Sequence, residues 1–81
     1  MQIKVYGPGC ANCRKLEENA REAVESLGVT AEIEKVEDMK GMAAAGVMRT
    51  PALSVNGELI LHGKVAPPRY IADRLREIAA P

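Results

Sequence analysis

The chain has 81 residues, with eleven basic and eleven acidic side chains, two tyrosines as its only aromatics, and two cysteines. A chain of this length makes one domain, 1–81, and buries roughly 60% of the surface its unfolded form exposes, so a single modest aliphatic core is the limit. The charge balance argues against a nucleic-acid surface, which carries a basic excess, and no apolar run approaches the roughly 18 residues that cross a membrane.

Taken in chain order, Gln2 to Tyr6 alternates, with Ile3 and Val5 on one side, and reads as a strand. GPG at 7–9 is a turn signal. From Cys10 to Leu27, Cys13, Leu16, Ala20, Ala23, Val24 and Leu27 recur at intervals of mostly three and four, one stripe of an amphipathic helix, and Gly28 suits its end. Thr30 to Val36 reads as a second strand around Ala31 and Ile33. Glu37 to Ala45 reads as a weaker helix, with Met39, Met42 and Ala43 as its inner face, Gly41 as an internal weak point and Gly46 as its end. Pro51 to Val55 and Glu58 to His62 flank Asn56-Gly57, a strong signal for a two-residue hairpin. A last helix spans Pro67 to Ala79, with a proline in its first turn and Ile71, Leu75 and Ile78 facing inward. The order is β-α-β-α-β-β-α. Helical crossovers imply parallel pairing early and the hairpin implies antiparallel pairing late, so the expected fold is α/β with a mixed four-stranded sheet flanked by helices.

The chemistry concentrates in GPGCANC. Cys10 falls where a strand and a glycine-rich turn open a helix. A helix N-terminus carries about half a positive charge and free N–H donors, and both favour the reactive thiolate. Cys10 is therefore the expected attacking sulfur. Cys13, one turn further and beside Leu16 on the inner stripe, is the expected resolving one. Positions three apart on a helix lie about 5–6 Å from each other, within reach of a disulfide. Arg14 and Lys15 follow directly; cations there favour a thiolate, although each is also an ordinary surface group.

Two other uses of the pair compete with this one. A bracing disulfide over so short a ring removes roughly 2 kcal/mol of unfolded-chain entropy, against about 3 for a fifteen-residue loop, and joins residues the helix already holds. Two thiolates can also hold Cu(I), or share an iron–sulfur cluster with a second chain. A closed zinc site wants four ligands, and the chain offers no further cysteine and one histidine, His62. Two close cysteines are unlike a secreted disulfide scaffold, and the N-terminus reads as a strand with no apolar signal region. A cytoplasmic, reducing location is expected.

A strand, a CxxC opening a helix, and Thr50-Pro51 opening a later strand together resemble the thioredoxin superfamily, and within it small thioredoxin/glutaredoxin-like redox proteins of archaea and bacteria. The resemblance runs through KVYGPGCANCRKLEEN, GVMRTPALSVNG and the closing helix. It implies a thioredoxin-like fold and a thiol–disulfide oxidoreductase that reduces protein disulfides. Cys10 and Cys13 would be catalytic, with no cofactor beyond their own disulfide and no bound metal. It implies a cis peptide at Thr50–Pro51, a substrate segment running alongside Thr50, a proline that helps keep metal from the thiols, and substrate backbone close to Gly63. Expected partners are disulfide-containing proteins and an upstream reductase, with no nucleic acid or membrane, and a monomeric state. A Cu(I) or iron–sulfur carrier using the same pair is the alternative; copper carriers usually have Met two residues before the first cysteine, where this chain has Pro8. Departures from the family are plain as well. The motif is GCANC rather than WCGPC or CPYC, and the buried acid usual six positions before the first cysteine is replaced by Lys4. Either Lys4 points to solvent and another base is used, or water serves. Arg49 is the one basic residue near Thr50-Pro51 in sequence.

Overall fold

A computed structural model describes residues 1–79. Its elements are β1 (Gln2–Tyr6), α1 (Ala11–Leu27), β2 (Glu32–Val36), α2 (Met39–Ala44), β3 (Ala52–Val55), β4 (Glu58–His62) and α3 (Pro68–Ala79). The strands form one sheet in the order β2-β1-β3-β4. β1 and β2 are parallel; β1 with β3 and β3 with β4 are antiparallel. This is the mixed sheet and element order expected.

Strand parity sets the two layers. Ile3 pairs with Val55 and Val5 with Leu53, so these four side chains share one face. They pack with Leu16, Ala20 and Ala23 of α1 and with Ile71, Ala72 and Leu75 of α3 in one buried cluster. Full burial of an aliphatic side chain of this size contributes about 2 kcal/mol. Tyr6 and Ala52, on the opposite face, pack with Met42 in a smaller cluster that Val36, Val47 and Leu59 border. Between β3 and β4 the register slips: Leu53 pairs with Leu61 but Ser54 with Leu59, leaving Ile60 as an inserted residue. This bulge lets the neighbours Ile60 and Leu61 both reach the larger cluster while Leu59 serves the smaller. The hairpin tip has positive φ at Asn56 (51°) and Gly57 (88°), the geometry of a two-residue hairpin turn. Asn56 is also tied to the start of β1: its N–H donates to the Gln2 carbonyl at 2.7 Å, and its Oδ1 accepts from the Gln2 N–H at 2.9 Å.

The α2 segment departs from the expected pattern. It has only six residues and is capped by Asp38, whose carboxylate accepts from the Gly41 N–H at 2.7 Å. Less than two turns of helix presents one residue inward, and that residue is Met42. Met39 and Ala43, expected on the inner face, are exposed. The cap at the far end is Ala45, with Gly46 taking a positive φ just beyond it. Strand β2 begins at Glu32 rather than Thr30, β3 at Ala52 rather than Pro51, and α3 at Pro68 rather than Pro67. On α3, Ile71 and Leu75 are buried as expected, Ala72 joins them, and Ile78 is half-buried.

Candidate active site

Cys10 is the N-cap of α1 rather than its first helical residue. Its backbone is extended (φ −71°, ψ 168°), and its Sγ accepts from the Cys13 N–H at 3.3 Å. The helix thus uses a sulfur where an Asp or Ser oxygen usually caps. Both cysteines carry free thiols; Cys10 is exposed and Cys13 is 5% exposed. Their thiols are held apart in acidity. A hydrogen bond from the Cys13 side chain lowers the Cys10 pKa below the ordinary thiol value, and the Cys13 N–H adds to this. Desolvation raises the Cys13 pKa, and its hydrogen bond to Cys10 adds further. Arg14 and Lys15 are exposed and are not among the causes of the Cys10 shift. One sulfur is therefore the more acidic, solvent-facing one at a helix terminus, and the other the sheltered, less acidic one.

The turn beneath the pair is built around Gly7. Its N–H donates to the Val36 carbonyl at 3.0 Å, which fastens the turn to β2. The Cys13 sulfur lies directly against its Cα, so that a Cβ there would overlap Sγ, and the Thr50 Cβ would lie 3.8 Å from it. Gly7 is thus where the turn, the buried cysteine and the Thr50 loop meet, and it is a glycine because sulfur occupies the place of a side chain. Glu37 closes the outer side of the turn: its carboxylate lies 2.7 Å from where a Gly9 Cβ would stand. A sequence pattern shows neither contact. GPG reads as a turn whichever glycine is packed, and Glu37 reads as one acid among several.

The Thr50–Pro51 peptide is cis, as the resemblance implied. Thr50 is exposed and Pro51 is buried. Gly63, just past β4, donates its N–H to the Pro51 carbonyl at 2.7 Å. Its φ is +66°, and a Cβ there would stand 3.1 Å from the Cβ of Arg49, so both backbone conformation and space favour glycine. Arg49 therefore packs its aliphatic stem against Gly63, and the Thr50-Pro51 turn and the end of β4 form one connected rim. Lys4 is half-buried on the β1 face opposite Ile3 and Val5, opposite Glu34 of β2 and Ser54 of β3. It borders an open hollow with Tyr6 and Glu34. Among the described residues no carboxylate hydrogen-bonds the Cys13 thiol, and no three His, Cys, Asp or Glu side chains gather as a metal set. His62 is exposed at the end of β4.

One supporting residue escaped the sequence pattern. Asn19 lies within the apolar stripe of α1, is buried, and donates from Nδ2 to the Ala66 carbonyl at 2.9 Å. It fastens the helix that carries the cysteines to the segment leading into α3.

Comparison with known proteins agrees with this geometry. The thioredoxin domain family matches residues 1–76. A protein named thioredoxin from Methanothermobacter thermautotrophicus is 53% identical over 66 residues, which cover 82% of this chain and 86% of that protein. A protein named thioredoxin from Methanocaldococcus jannaschii is 35% identical over 74 residues, 91% of this chain and 85% of that protein. The chain belongs to the thioredoxin domain family. No described helix is long and apolar enough to cross a membrane.

Proposed function

We propose that the protein is a thiol–disulfide oxidoreductase that reduces protein disulfides with the Cys10–Cys13 dithiol. The observation that carries this reading is a pair of free thiols one helical turn apart, one exposed at the helix cap and the other buried, a placement that pushes their acidities in opposite directions. The Cys10 thiolate attacks one sulfur of a substrate disulfide. That S–S bond breaks, its other sulfur leaves as a thiolate and takes a proton from water, and Cys10 is held to the substrate in a mixed disulfide. Cys13 then gives up its proton and attacks the Cys10 sulfur. The substrate's second thiol departs, and an internal Cys10–Cys13 disulfide remains. Two electrons have passed to the substrate, and an upstream reductase returns the dithiol. Attack by Cys10 removes the negative charge that its hydrogen bond with Cys13 stabilises, so the Cys13 thiol loses its acceptor at the step that requires it to ionise.

Substrate would lie in extended form along Thr50 and Pro51, pairing backbone with Thr50, and pass the open backbone of Gly63. The protein needs no cofactor beyond its own disulfide, no metal, and no nucleic-acid or membrane partner. It works as a monomer in the cytoplasm on disulfide-containing proteins. The test is trapping. Cys13→Ser should accumulate a mixed disulfide between Cys10 and its partner, identified by mass spectrometry, whereas Cys10→Ser should neither trap nor turn over. Retention of disulfide reduction by Cys10→Ser would overturn the reading. So would stoichiometric copper or iron–sulfur cluster in protein purified without oxygen.

A further inference from the structure

The chain is neutral overall, but its charges are sorted by position. Register fixes which residues share an end of the sheet. Tyr6 stands opposite Val36 of β2 and Ala52 of β3, and Ala52 opposite His62 of β4. Whatever directly follows β1, β2 and β4, or directly precedes β3, therefore gathers at the cysteine end. That end carries Arg14 and Lys15 from the first turns of α1, Lys40 from the start of α2, Arg49 ahead of the cis peptide, and Lys64 just past Gly63. All are exposed. Among the described residues none of them enters an ion pair, whereas Arg21, Lys35, Arg74 and Arg76 do. The acids at this end are Glu37 and Asp38, and Asp38 is occupied in capping α2. The opposite end carries Glu22 and Glu25 from the last turns of α1, Glu32 at the start of β2 and Glu58 beside the hairpin tip, all exposed and likewise outside those ion pairs.

This order does not serve the fold. The first turn of α1 has no acid and its last turn no base, so its cations and anions stand at the ends where the helix dipole disfavours them. Nor does it serve the thiol, since Arg14 and Lys15 are not among the causes of the Cys10 shift. What remains is the field the cations project. The two ends lie a five-residue strand apart, about 17 Å, which exceeds the screening length of about 8 Å at physiological ionic strength. A molecule approaching Cys10 therefore meets the local cations and not the zero sum. Arg14 and Lys15 directly follow Cys13, while Lys64 follows Gly63 and the Arg49 stem packs on it. The cations thus frame both the thiol pair and the loop past which substrate would run. We propose that the cysteine end is a cationic docking face that selects disulfides set in acidic protein surfaces. This rests on the thiol–disulfide exchange reading and adds the class of partner: acidic proteins are drawn to Cys10 and basic ones repelled from it.

The test uses peptides with one cysteine activated as a 2-pyridyl disulfide, differing only in Asp, Asn or Lys at the positions around it. Attack by the Cys10 thiolate on the peptide sulfur breaks that disulfide and expels pyridine-2-thiolate, which takes up a proton and whose absorbance gives the rate. Each rate is divided by that of the same peptide with dithiothreitol, a neutral dithiol, so that intrinsic reactivity cancels. At an ionic strength of about 0.1 M the unmodified protein should favour the Asp peptide over the Lys peptide by about tenfold, the lower end of electrostatic steering. In about 1 M salt, where screening acts within about 3 Å, the ratio should fall to within about twofold of unity. Arg14→Glu/Lys15→Glu should bring it there at 0.1 M, whereas Glu22→Lys/Glu25→Lys, at the far end, should leave it unchanged. Because the readout is a ratio, a general loss of folding or of thiol reactivity does not imitate the result. Equal rates for the Asp and Lys peptides, a preference that survives salt or Arg14→Glu/Lys15→Glu, or one that shifts as much in Glu22→Lys/Glu25→Lys, overturns the docking face alone. No release from any peptide overturns the exchange reading and the face with it. Salt-sensitive binding of a single-stranded RNA oligonucleotide that blocks release from the Asn peptide would assign the cations to nucleic acid and likewise overturn the proposal.

Discussion

Replacing Gly7 by alanine tests whether the Cys13 sulfur fills the space of a missing side chain. The new methyl would overlap Sγ, stand 3.0 Å from the Cys13 Cβ, and approach the Thr50 Cβ at 3.8 Å. The turn cannot simply swing outward, because the Gly7 N–H is bonded to the Val36 carbonyl. Overpacking of this kind costs about 1–3 kcal/mol. Gly7 is not among the glycines with positive φ. Alanine therefore pays no conformational penalty there, and it restricts the unfolded chain, which returns about 0.4–1 kcal/mol. The net loss should be about 1–2 kcal/mol, or roughly 4–16 °C in Tm for a domain of this size. The assay is a double-mutant cycle with Cys13→Ala, by urea denaturation of the reduced proteins. Removing Sγ removes the worst overlap, so Gly7→Ala should cost at least about 1 kcal/mol less in the Cys13→Ala background. Equal costs in the two backgrounds, within about 0.4 kcal/mol, would refute the packing argument.

Two further predictions concern acidity and support. Alkylation of each cysteine, followed by mass spectrometry from pH 5 to pH 10, should place the Cys10 inflection below the ordinary thiol value of about 8.5 and leave Cys13 protected to higher pH; coincident inflections would contradict the hydrogen bond between them. In the reduced protein, the stability linked to the lowered Cys10 pKa is fully present above the ordinary value and is lost as pH falls through the folded one. The share linked to the raised Cys13 pKa is full below the ordinary value and is lost as pH rises through its folded one. Asn19→Leu leaves the buried Ala66 carbonyl without its donor and should cost about 1–3 kcal/mol in denaturation, whereas a change below about 0.5 kcal/mol would mean that the bond contributes little.

Much of this architecture was legible in the sequence because it is periodic or punctuated. The three- and four-residue spacing of Leu16, Ala20 and Ala23 predicted the buried stripe of α1, and Asn56-Gly57 predicted the hairpin, since each rests on local backbone geometry. The CxxC at a strand-to-helix turn likewise placed both sulfurs, and the resemblance supplied the cis peptide. What was not legible depends on contacts between distant segments or on elements too short for a period. Six residues of α2 cannot define a stripe, so Met39 and Ala43 were assigned inward when only Met42 is buried. Asn19 carries no local signal in the sequence, because the partner that explains it lies 47 positions away. Gly7 and Gly9 are equivalent in GPG, yet one is packed against a sulfur and the other, at φ +84°, lies beside the Glu37 carboxylate.

The sulfur that caps α1 ties redox state to backbone order. While Cys10 is a thiolate, a negative charge anchors the first turn of the helix by accepting from the Cys13 N–H. Once that sulfur enters a disulfide, with substrate or with Cys13, the charge is gone and the amide keeps at best a weak acceptor. The first turn of α1 should then loosen each time the protein is oxidised and tighten each time it is reduced. Hydrogen exchange at that single amide would report the redox state of the cysteine pair through the mobility of the helix end.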